Sequence, residues 1–574
     1  MIVRSGGNKR RKPLGERLVE SGQITAQQLR FALQEQSRTG RLLGEILIAN
    51  NFTSESAIAS MVTMQAGDSY DDLTDIEVPR EVLQLLPETF IRKRHVLPLW
   101  TDNESIRVAM VDTFDVEAID DVARVTNRDV VVVGCPRSAF LDLVRRLFDS
   151  AEARSSRFEG AVKNAARSIS DLAEGDQTAI ITLVNEIITR GVLMGATDIH
   201  IQPEEAVVHI RYRVDGVMRE GDTIPKEVQA AVESRLKVMA RLDISEKRIP
   251  QDGRIEQQIE GRCIDLRIST VPALAGENIV LRLLDRAKVA VRLEELGLTP
   301  AHRQMFREAV SRPHGLILMT GPTGSGKTTT LYSGLMEINA LERNVMTLED
   351  PVEYRMSVIR QTQVNAKAGY TFATGLRALL RQDPDVILVG EMRDPETSDL
   401  AIRASMTGHL VLSTLHTNDA SSALPRLIDM GVAPYLLPST LIAVVAQRLV
   451  RRPCKHCMRP YTPAVEEFES FSREPHEGNF VTVEGCNRCY GTGYSGQLPL
   501  VEFLNMNQEV GELVMARASA ADIYQAAMAS GMRDLRMDGY EKAVQGLTTL
   551  AEVQRVAERR LAVRTGHAPE RNKG

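Results

Sequence analysis

The sequence predicts an α/β protein of several domains that is built around a nucleotide-binding phosphate loop. The chain has 574 residues, which is several times the length of a typical domain of about 150 residues. Between residues 291 and 452, apolar runs alternate with helix-compatible segments, the pattern of a parallel sheet covered on both faces. A glycine-rich loop with the pattern GxxxxGKT stands between one such run and a helix.

The phosphate loop follows the apolar run 316–319 and precedes a helix-compatible segment. Its glycines let backbone N–H groups turn inward, and the N-terminus of the next helix favours negative charge. We expect Lys327 to reach the β and γ phosphates and the Thr328 hydroxyl to bind Mg²⁺. The alternative is a chance glycine-rich turn, which the complete pattern and both flanking elements oppose. The predicted nucleotide-binding residues are Gly321, Pro322, Thr323, Gly324, Ser325, Gly326, Lys327, Thr328 and Thr329.

Acidic residues follow two other apolar runs of the same region. Glu391 closes the run 385–391, the form of a Walker B element that places an acid beside Mg²⁺. Glu349 and Glu353 come just after the run 345–348. Hydrolysis requires a carboxylate that orients or deprotonates the attacking water. A single acid of this kind is more often a solvated loop residue, but together with the phosphate loop these three are catalytic candidates.

His409 and His416 flank the apolar run 410–415. Their ring donors could contact the γ-phosphate or respond to its loss. Seven residues apart on one strand, they would lie on opposite faces, so a joint contact is not expected. The alternative is that both are hydrogen-bonded structural residues, and the spacing alone does not separate the two interpretations.

Two CxxC pairs separated by 28 residues predict a structural zinc site. Each pair places two thiolates on one side of a tight turn, so two pairs can complete a tetrahedron around Zn²⁺. His456 is not expected to be a ligand, because four sulfurs already saturate the ion. The alternative is a set of free thiols. The predicted ligands are Cys454, Cys457, Cys486 and Cys489.

Composition limits the function and the location. A formal net charge of -6 argues against a general nucleic-acid binder. The basic N-terminal residues have no apolar core of a secretory signal and predict a flexible tail, either solvated or touching anionic lipid. No stretch reaches the ~20 apolar residues needed to cross a bilayer, so we expect a cytoplasmic protein whose membrane association is peripheral.

An internal repeat with an offset of 29 residues occupies positions 13–65: the motif at 14–16 recurs at 43–45, and Gln36 recurs as Gln65. It predicts two copies of one helical unit. The predicted organisation is a helical repeat domain (1–66), a small α/β domain (67–150), a linker with helical tendency (151–176), a second α/β domain (177–290), an ATPase core (291–452), a four-cysteine insertion (453–496) and a helical C-terminal part of the ATPase domain (497–574).

In combination, these motifs resemble a known family. In order along the chain, they are similar to the Walker A, Asp box, Walker B and His box of the ATPases that drive type II secretion and type IV pilus assembly. The resemblance covers nearly the whole chain and includes segments outside the four boxes. The segments that carry it are 321–328, 349–353, 389–394, 408–416, 196–200, 250–254, 538–539 and 546–549.

The resemblance implies a hexameric motor in which a PAS-like domain at 177–290 and a RecA-like domain move against each other around ATP. It makes Glu391 the Walker B acid and Glu353 the base, with Glu349 as the alternative. It also implies that arginines of the PAS-like domain complete the site, since a guanidinium can contact several transition-state oxygens. Arg211, Arg213 and Arg254 stand on the matching strands.

The function implied by the resemblance is hydrolysis of Mg-ATP to drive pilus or pseudopilus assembly at an inner-membrane platform. The cofactors are then ATP, Mg²⁺ and Zn²⁺, and the partners are identical subunits and platform proteins. The motifs do not separate a secretion motor from a pilus-extension motor. Two other classes are a regulatory nucleotide-binding switch with little turnover and a zinc-containing DNA translocase, which the net charge disfavours.

The helical repeat resembles the tandem motif by which some members of the family bind cyclic di-GMP. It departs from that motif because Pro13 and Leu42 stand where an arginine usually precedes Leu-Gly. Lys12 and Arg41 are one residue away, and that shift changes the direction in which a side chain leaves the backbone. We therefore favour the interpretation that the repeat is a docking domain for a platform protein over the interpretation that it binds cyclic di-GMP.

Overall fold

The computed structural model describes residues 12–50, 52–73, 76–148, 151–170, 177–259, 262–285, 291–338, 340–356 and 358–557. Nearly all of the predicted basic tail, and residues 171–176 of the predicted linker, lie outside the described residues. The described chain divides into two compact units. One reaches to Gly160 and includes the segment Met356–Val358, and the other contains the rest. Among the described helices, none is both long enough and apolar enough to span a membrane.

The 29-residue repeat forms two helix pairs in the described part of the first unit. Thr25 and Ser54, which are 29 positions apart, cap the second helix of each pair and accept from the N–H groups of Gln28 at 3.2 Å and Ala57 at 3.1 Å. The second helix of each copy therefore begins at an equivalent hydroxyl cap. The helices are α1 (Leu14–Glu20), α2 (Ala26–Thr39), α3 (Leu43–Ala49) and α4 (Glu55–Ala66).

The glycine of each Leu-Gly motif marks a close helix crossing. A Cβ added at Gly15 would lie 2.4 Å from Cδ1 of Leu29, and one added at Gly44 would lie 3.3 Å from Cγ2 of Ile58. Leu29 and Ile58 are again 29 positions apart. The repeat in the sequence is therefore a repeat of packing contacts as well as of helices.

The remainder of the first unit is a small sheet with the strand order β1-β4-β3-β2. β2 and β3 form an antiparallel hairpin, and β3 and β4 are parallel. Helix α9 (Ala151–Ser170) occupies most of the segment for which the sequence predicts a linker with helical tendency. The elements are β1 (Ser69–Tyr70), α5 (Arg80–Leu83), α6 (Glu88–Arg94), β2 (Val96–Thr101), β3 (Ser105–Met110), α7 (Val116–Thr126), β4 (Asp129–Gly134) and α8 (Arg137–Phe148).

The second unit begins with an antiparallel sheet of strand order β7-β6-β5-β10-β9-β8. Its strands alternate between buried apolar and more exposed polar residues, as in the buried Ile210 and Tyr212 beside Arg211 and Arg213. Helices α10 and α11 pack on this sheet. The elements are α10 (Gln177–Leu193), β5 (Ala196–Pro203), β6 (Val207–Val214), β7 (Val217–Pro225), a 3₁₀ helix (Lys226–Val228), α11 (Gln229–Ala240), β8 (Gln251–Ile259), β9 (Arg262–Ala273) and β10 (Gly276–Asp285).

A second sheet forms the core that carries the phosphate loop, with the strand order β13-β12-β14-β15-β11-β16-β19. All neighbouring pairs are parallel except β16 with β19. β15 stands between the strand before the phosphate loop, β11, and the strand before Glu391, β14. This is a RecA-like arrangement. The strands are β11 (Gly315–Thr320), β12 (Val345–Glu349), β13 (Arg360–Gln363), β14 (Val386–Val389), β15 (Leu410–Leu415), β16 (Leu441–Pro453) and β19 (Tyr494–Asn505).

Helices complete this core. Each residue of β11, β12, β14 and β15 is buried, because helices cover both faces of a parallel sheet. The helices are α12 (Pro300–Val310), α13 (Lys327–Glu337), α14 (Phe372–Leu379), α15 (Pro395–Met406), α16 (Ala423–Asp429), α17 (Leu437–Thr440), α19 (Gln508–Met515), α20 (Ala520–Ala529), α21 (Leu535–Val544) and α22 (Leu550–Val556), with 3₁₀ turns at Ala366–Ala368 and Pro434–Leu436.

The four-cysteine segment is inserted between β16 and β19. These strands pair antiparallel from Ala443 opposite Asn505 to Pro453 opposite Tyr494, so the insertion leaves and rejoins the sheet at adjacent points. Inside it, β17 and β18 form a short antiparallel pair. Its elements are β17 (Met458–Pro460), α18 (Val465–Ser470), β18 (Val481–Val483) and a 3₁₀ turn (Asn487–Cys489).

Candidate nucleotide site and cysteine cluster

The phosphate loop runs from the end of β11 to the start of α13. Gly321, Gly324 and Gly326 have φ values of 144°, 79° and 83°, a region that residues with a side chain rarely adopt. Gly326 caps α13 without a side-chain hydrogen bond. The first N–H groups of the helix are therefore offered to a ligand, and the helix dipole favours an anion there.

Lys327 lies inside this loop and is 8% exposed. Its Nζ donates to the carbonyl oxygens of Gly321 at 2.7 Å and Pro322 at 2.9 Å. Burial and the nearby Arg448 lower the pKa of Lys327 to about 8, although the carboxylate of Glu391 acts in the opposite direction.

The other predicted loop residues differ in their access to solvent. Ser325 is buried and Thr329 is half-buried. Thr328, at the first turn of α13, is exposed, so its hydroxyl is available to a metal ion at the mouth of the loop. The remaining exposed loop residues are Pro322, Thr323 and Gly324.

Glu391 lies two residues beyond the end of β14, next to the loop. The neighbouring strand β15 fixes its backbone, because the Thr414 hydroxyl donates to the carbonyl oxygen of Gly390 at 2.8 Å. Oε2 of Glu391 is 2.6 Å from Nε of Arg393 and 3.4 Å from Nε2 of His416. The carboxylate of Glu391 also favours the charged form of Lys327 and so opposes the lowering of its pKa.

The two predicted histidines lie at opposite ends of β15, and neither belongs to the strand. The expectation that they make no joint contact agrees with this placement, because the whole strand separates them. His416 follows the strand and contacts Glu391. His409 precedes it, at the sheet edge away from the phosphate loop, and its Nδ1 is 2.9 Å from the carbonyl oxygen of Ala404. Within this chain, only His416 of the pair is near the phosphate loop.

Glu349 is the last residue of β12 and is 3% exposed. Its carboxylate accepts from the Tyr332 hydroxyl, from the Thr347 hydroxyl at 2.5 Å and from Nε2 of Gln361 at 3.3 Å. Burial raises the pKa of Glu349, and these three hydrogen bonds oppose the shift. The Glu349 carboxylate is therefore part of a hydrogen-bond network that connects β12 to α13.

Glu353 has a different environment, with a side chain that is 37% exposed. Its Oε2 is 3.0 Å from Nη2 of Arg267, a residue of β9 in the preceding sheet. Sequence reasoning missed Arg267. A signal was present, because buried Ile264, Leu266 and Ile268 alternate along β9 and leave Arg267 on the polar face.

The three predicted arginines make contacts within their own sheet. Nε of Arg211 donates to Gln202 at 2.7 Å, and Nε of Arg254 donates to Asp265 at 2.6 Å. Arg213 Nε is 3.8 Å from a carboxylate oxygen of Asp198, and its Nη1 donates to the carbonyl oxygen of Gly216 at 3.3 Å. Arg254 is paired in register with Arg267, so the predicted residue and the missed one are cross-strand neighbours.

The four predicted zinc ligands converge. Their sulfur atoms all lie within 4.8 Å of one another. Three pairs are separated by 3.7 Å (Cys486 and Cys489), 3.8 Å (Cys457 and Cys489) and 3.9 Å (Cys454 and Cys486). A tetrahedron with Zn–S bonds of ~2.3 Å has edges of ~3.8 Å, so this arrangement fits a zinc ion.

The backbone around the cluster also suits metal-bound thiolates. The N–H groups of Cys486 and Gly493 donate to Sγ of Cys489 at 3.2 Å and 3.1 Å. Burial raises the pKa of Cys489, but such hydrogen bonds outweigh it and bring the pKa to about 6. Donors of this kind orient a ligand and stabilise its charge.

Comparison with known proteins identifies the family. A family model described as Type II/IV secretion system protein matches residues 173–555, which is more than half of the chain. The chain belongs to this family. A second model, the MshEN domain, matches residues 69–154, which contain the small sheet of the first unit. The resemblance to secretion ATPases and the RecA-like fold predicted from the sequence are confirmed.

Full-length relatives of this secretion family come from both pathways. The type IV pilus assembly ATPase PilB of Myxococcus xanthus is 39% identical, and the match covers 94% of this chain and 98% of the relative. The type II secretion system protein E of Xanthomonas campestris is 40% identical, and the match covers 95% of this chain and 98% of the relative. A solved structure of MshE with cdg is 31% identical with a TM-score of 0.22, and the match covers 24% of this chain and all of that one.

The lowered pKa of Lys327 predicts pH-dependent nucleotide binding in this secretion-family protein. With a pKa of about 8, the ammonium is ~90% charged at pH 7 and ~10% charged at pH 9, so the Kd for ATP should rise about tenfold. Calorimetric titrations at the two pH values measure this. Lys327→Arg stays charged throughout, so any affinity it retains should not change with pH. A wild-type Kd that is constant from pH 7 to pH 9 would contradict the prediction that the charged form of Lys327 binds the nucleotide.

Proposed function

We propose that this chain is a motor ATPase that hydrolyses Mg-ATP to drive the assembly of a pilus or pseudopilus at an inner-membrane platform. The observation that supports this most strongly is that the phosphate loop and the candidate catalytic residues meet at one edge of the core sheet. The phosphate loop, Glu391 and His416 follow three parallel strands, and Glu349 is the last residue of a fourth that ends at the same edge. A site with a polyphosphate cradle and several carboxylates is suited to phosphoryl transfer to water.

In this site, the loop N–H groups and Lys327 bind the polyphosphate of ATP. The exposed Thr328 hydroxyl and Glu391 hold Mg²⁺, which when bound neutralises charge on the phosphate oxygens. Glu391 already has two donors, Arg393 and His416. His416 therefore connects the end of β15 to the acid that lies beside the phosphates.

We assign the base that activates water to Glu353 rather than Glu349. Glu349 is buried and its oxygens are engaged by Tyr332, Thr347 and Gln361. Glu353 is more exposed, and its described ion pair is with Arg267. An arginine in this position can orient the carboxylate, so Arg267 joins the arginines that we propose for the site. We also keep the proposal that Arg211, Arg213 and Arg254 help to complete the ATP site.

The assembly that fits this function is a homo-hexamer in the cytoplasm that binds platform proteins at the inner membrane. The near-equal identities to a pilus assembly ATPase (39%) and a secretion protein E (40%) suit either platform. Purified protein should hydrolyse ATP, and its rate should change when platform proteins are added. A hexamer that binds ATP but shows no turnover with those partners would instead be a nucleotide-dependent switch.

Substitution of the acidic residues tests their assigned roles. Glu353→Gln should keep ATP binding but slow hydrolysis by about 10²- to 10⁴-fold, the usual contribution of a general base. Glu391→Gln should also retain ATP and slow hydrolysis, while Lys327→Ala should lose ATP binding. Steady-state ATPase assays and ATP titrations separate these effects.

Glu349→Gln is the matched control for the base, because it makes the same chemical change four residues away. If Glu353→Gln turned over normally while Glu349→Gln was inactive with ATP still bound, the two assignments would have to be exchanged. Equal losses in both variants, without loss of folding, would show that neither alone is the base.

We propose that the four cysteines bind one structural zinc ion per chain. The sulfur spacings of 3.7 to 3.9 Å support the proposal. The ion would stabilise the inserted segment, which leaves the core sheet at Pro453 and rejoins it at Tyr494. β16 and β19 pair without the metal ligands, so the base of the insertion does not depend on zinc.

Removal of zinc should therefore unfold the insertion locally and leave ATP binding intact. Chelator-treated protein should show faster amide hydrogen exchange at residues 454–489, with an unchanged Kd for ATP. Cys489→Ser should lower the zinc content, whereas Cys263→Ser, which changes a cysteine on β9, should leave it at one per chain. Freshly purified protein with well under one zinc per chain would exclude the site.

We propose that the helical repeat docks a platform protein and does not bind cyclic di-GMP. The two basic residues nearest the Leu-Gly motifs are placed beside acidic side chains. Nζ of Lys12 is 2.5 Å from Glu20, and Nε of Arg41 is 3.8 Å from Glu45. Both pairs are solvent-exposed, so they are weak contacts and show only where the side chains point.

The full chain should show no cyclic di-GMP binding at low micromolar concentration. An arginine that stacks on guanine and pairs with phosphate is absent from the position immediately before each Leu-Gly. Isothermal titration calorimetry measures this, with Pro13→Arg/Leu42→Arg as the matched gain-of-binding variant. A saturable sub-micromolar site in the wild-type chain would overturn the proposal.

A further inference from the structure

Gln447 is a buried polar residue of β16, the strand that pairs with the strand before the phosphate loop. It is 2% exposed. Thr320, the last residue of β11, lies opposite Ala446, so Gln447 stands level with the first residue of the loop. A buried amide requires hydrogen-bond partners, since leaving its polar atoms unpaired would cost stability.

Both ends of the Gln447 amide have partners in the phosphate-loop region. Its Nε2 donates to the carbonyl oxygen of Ser325 at 2.8 Å, and its Oε1 accepts from the Thr330 hydroxyl at 2.8 Å. Ser325 lies in the loop and Thr330 lies in the first turn of α13. One side chain therefore connects the loop to the helix that follows it.

The loop glycines are packed against the same residue. A Cβ added at Gly326 would lie 2.7 Å from Nε2 of Gln447, and one added at Gly321 would lie 2.5 Å from its carbonyl oxygen. Positive φ values already favour glycine at both positions. The approach of Gln447 is a second, independent reason why these two positions exclude a side chain.

The hydrogen bond to Ser325 has a directional consequence. In a trans peptide, the carbonyl oxygen and the N–H of the next residue point in opposite directions. When Gln447 holds the Ser325 oxygen toward β16, the N–H of Gly326 is directed away from β16 and toward the inside of the loop. N–H groups inside such a loop are the donors that bind a polyphosphate.

We propose that Gln447 is a positioning residue that holds the phosphate loop in its nucleotide-binding conformation. This proposal rests on the proposed function, in which the loop binds ATP. Gln447 does not contact the nucleotide. It acts through the Ser325 peptide and through Thr330, so its loss affects binding of the phosphates that the loop holds and leaves the reacting groups in place.

Gln447→Met tests the proposal, because methionine keeps a similar volume and removes both hydrogen bonds. We expect the Kd of the full chain for Mg-ATP and for Mg-ADP to rise in parallel by about tenfold, in the range of lost buried hydrogen bonds. The KM for ATP should rise similarly, while kcat at saturating ATP should stay within about twofold. Calorimetric titrations with both nucleotides and a steady-state ATPase assay measure these quantities.

Two further variants separate positioning from general damage. Thr330→Val removes one of the two contacts and should raise both Kd values by a smaller factor. Ser333→Ala, on the next turn of α13, removes a hydroxyl that bonds the carbonyl oxygens of Val291 and Thr329, and should leave both Kd values unchanged. If Gln447→Met does not fold, Thr330→Val decides the question.

The outcomes distinguish this proposal from the function on which it rests. A wild-type chain that does not bind ATP would refute the proposed function. A wild-type chain that binds ATP, with unchanged Kd values in folded Gln447→Met, would refute only the role of Gln447. Weakened binding of ATP but not of ADP would also refute it, because a contact to the γ-phosphate and not the loop would then be affected.

Discussion

Parallel pairing of four central strands determines where the chemistry of this protein can occur. β11, β12, β14 and β15 run in the same direction, and the pairs Leu348 with Val389 and Thr320 with Leu415 bring their carboxyl ends into line. Residues that follow these strands must therefore emerge at one edge of the sheet. The phosphate loop and the acidic residues lie far apart in the sequence, and the strand register alone brings them together.

Much of this site could be predicted because the information is local in the sequence. The phosphate-loop pattern fixes four of the eight positions 321–328, and the strand and helix on either side can be recognised from their own composition. The four cysteines have the same property, since each pair lies within one turn. Such segments fold in the same way whatever surrounds them, so a pattern in one sequence is enough to identify them.

The contacts that were missed depend on positions distant in the sequence. The ion pair between Arg267 and Glu353 joins two sheets, and the sequence around either residue does not identify its partner. Alternation along β9 shows which face Arg267 occupies but not what lies opposite that face. The separate positions of His409 and His416 have the same cause. The two residues flank one strand, and only the direction in which that strand pairs with β11 shows that His416 lies at the end with the phosphate loop.

The attachment of the four-cysteine segment has a consequence for how such a chain can be altered. Pro453 and Tyr494 lie opposite each other on paired strands, so the two ends of the insertion are about one strand spacing apart, roughly 5 Å. A hairpin turn can connect ends at that distance. The pairing of β16 with β19 therefore does not depend on the length of the chain between them. The inserted segment is nevertheless anchored to the core, because Phe468 and Phe480 are buried in one cluster with Leu500 and Tyr540. An insertion of altered length must keep these two side chains in place or leave the cluster open to water.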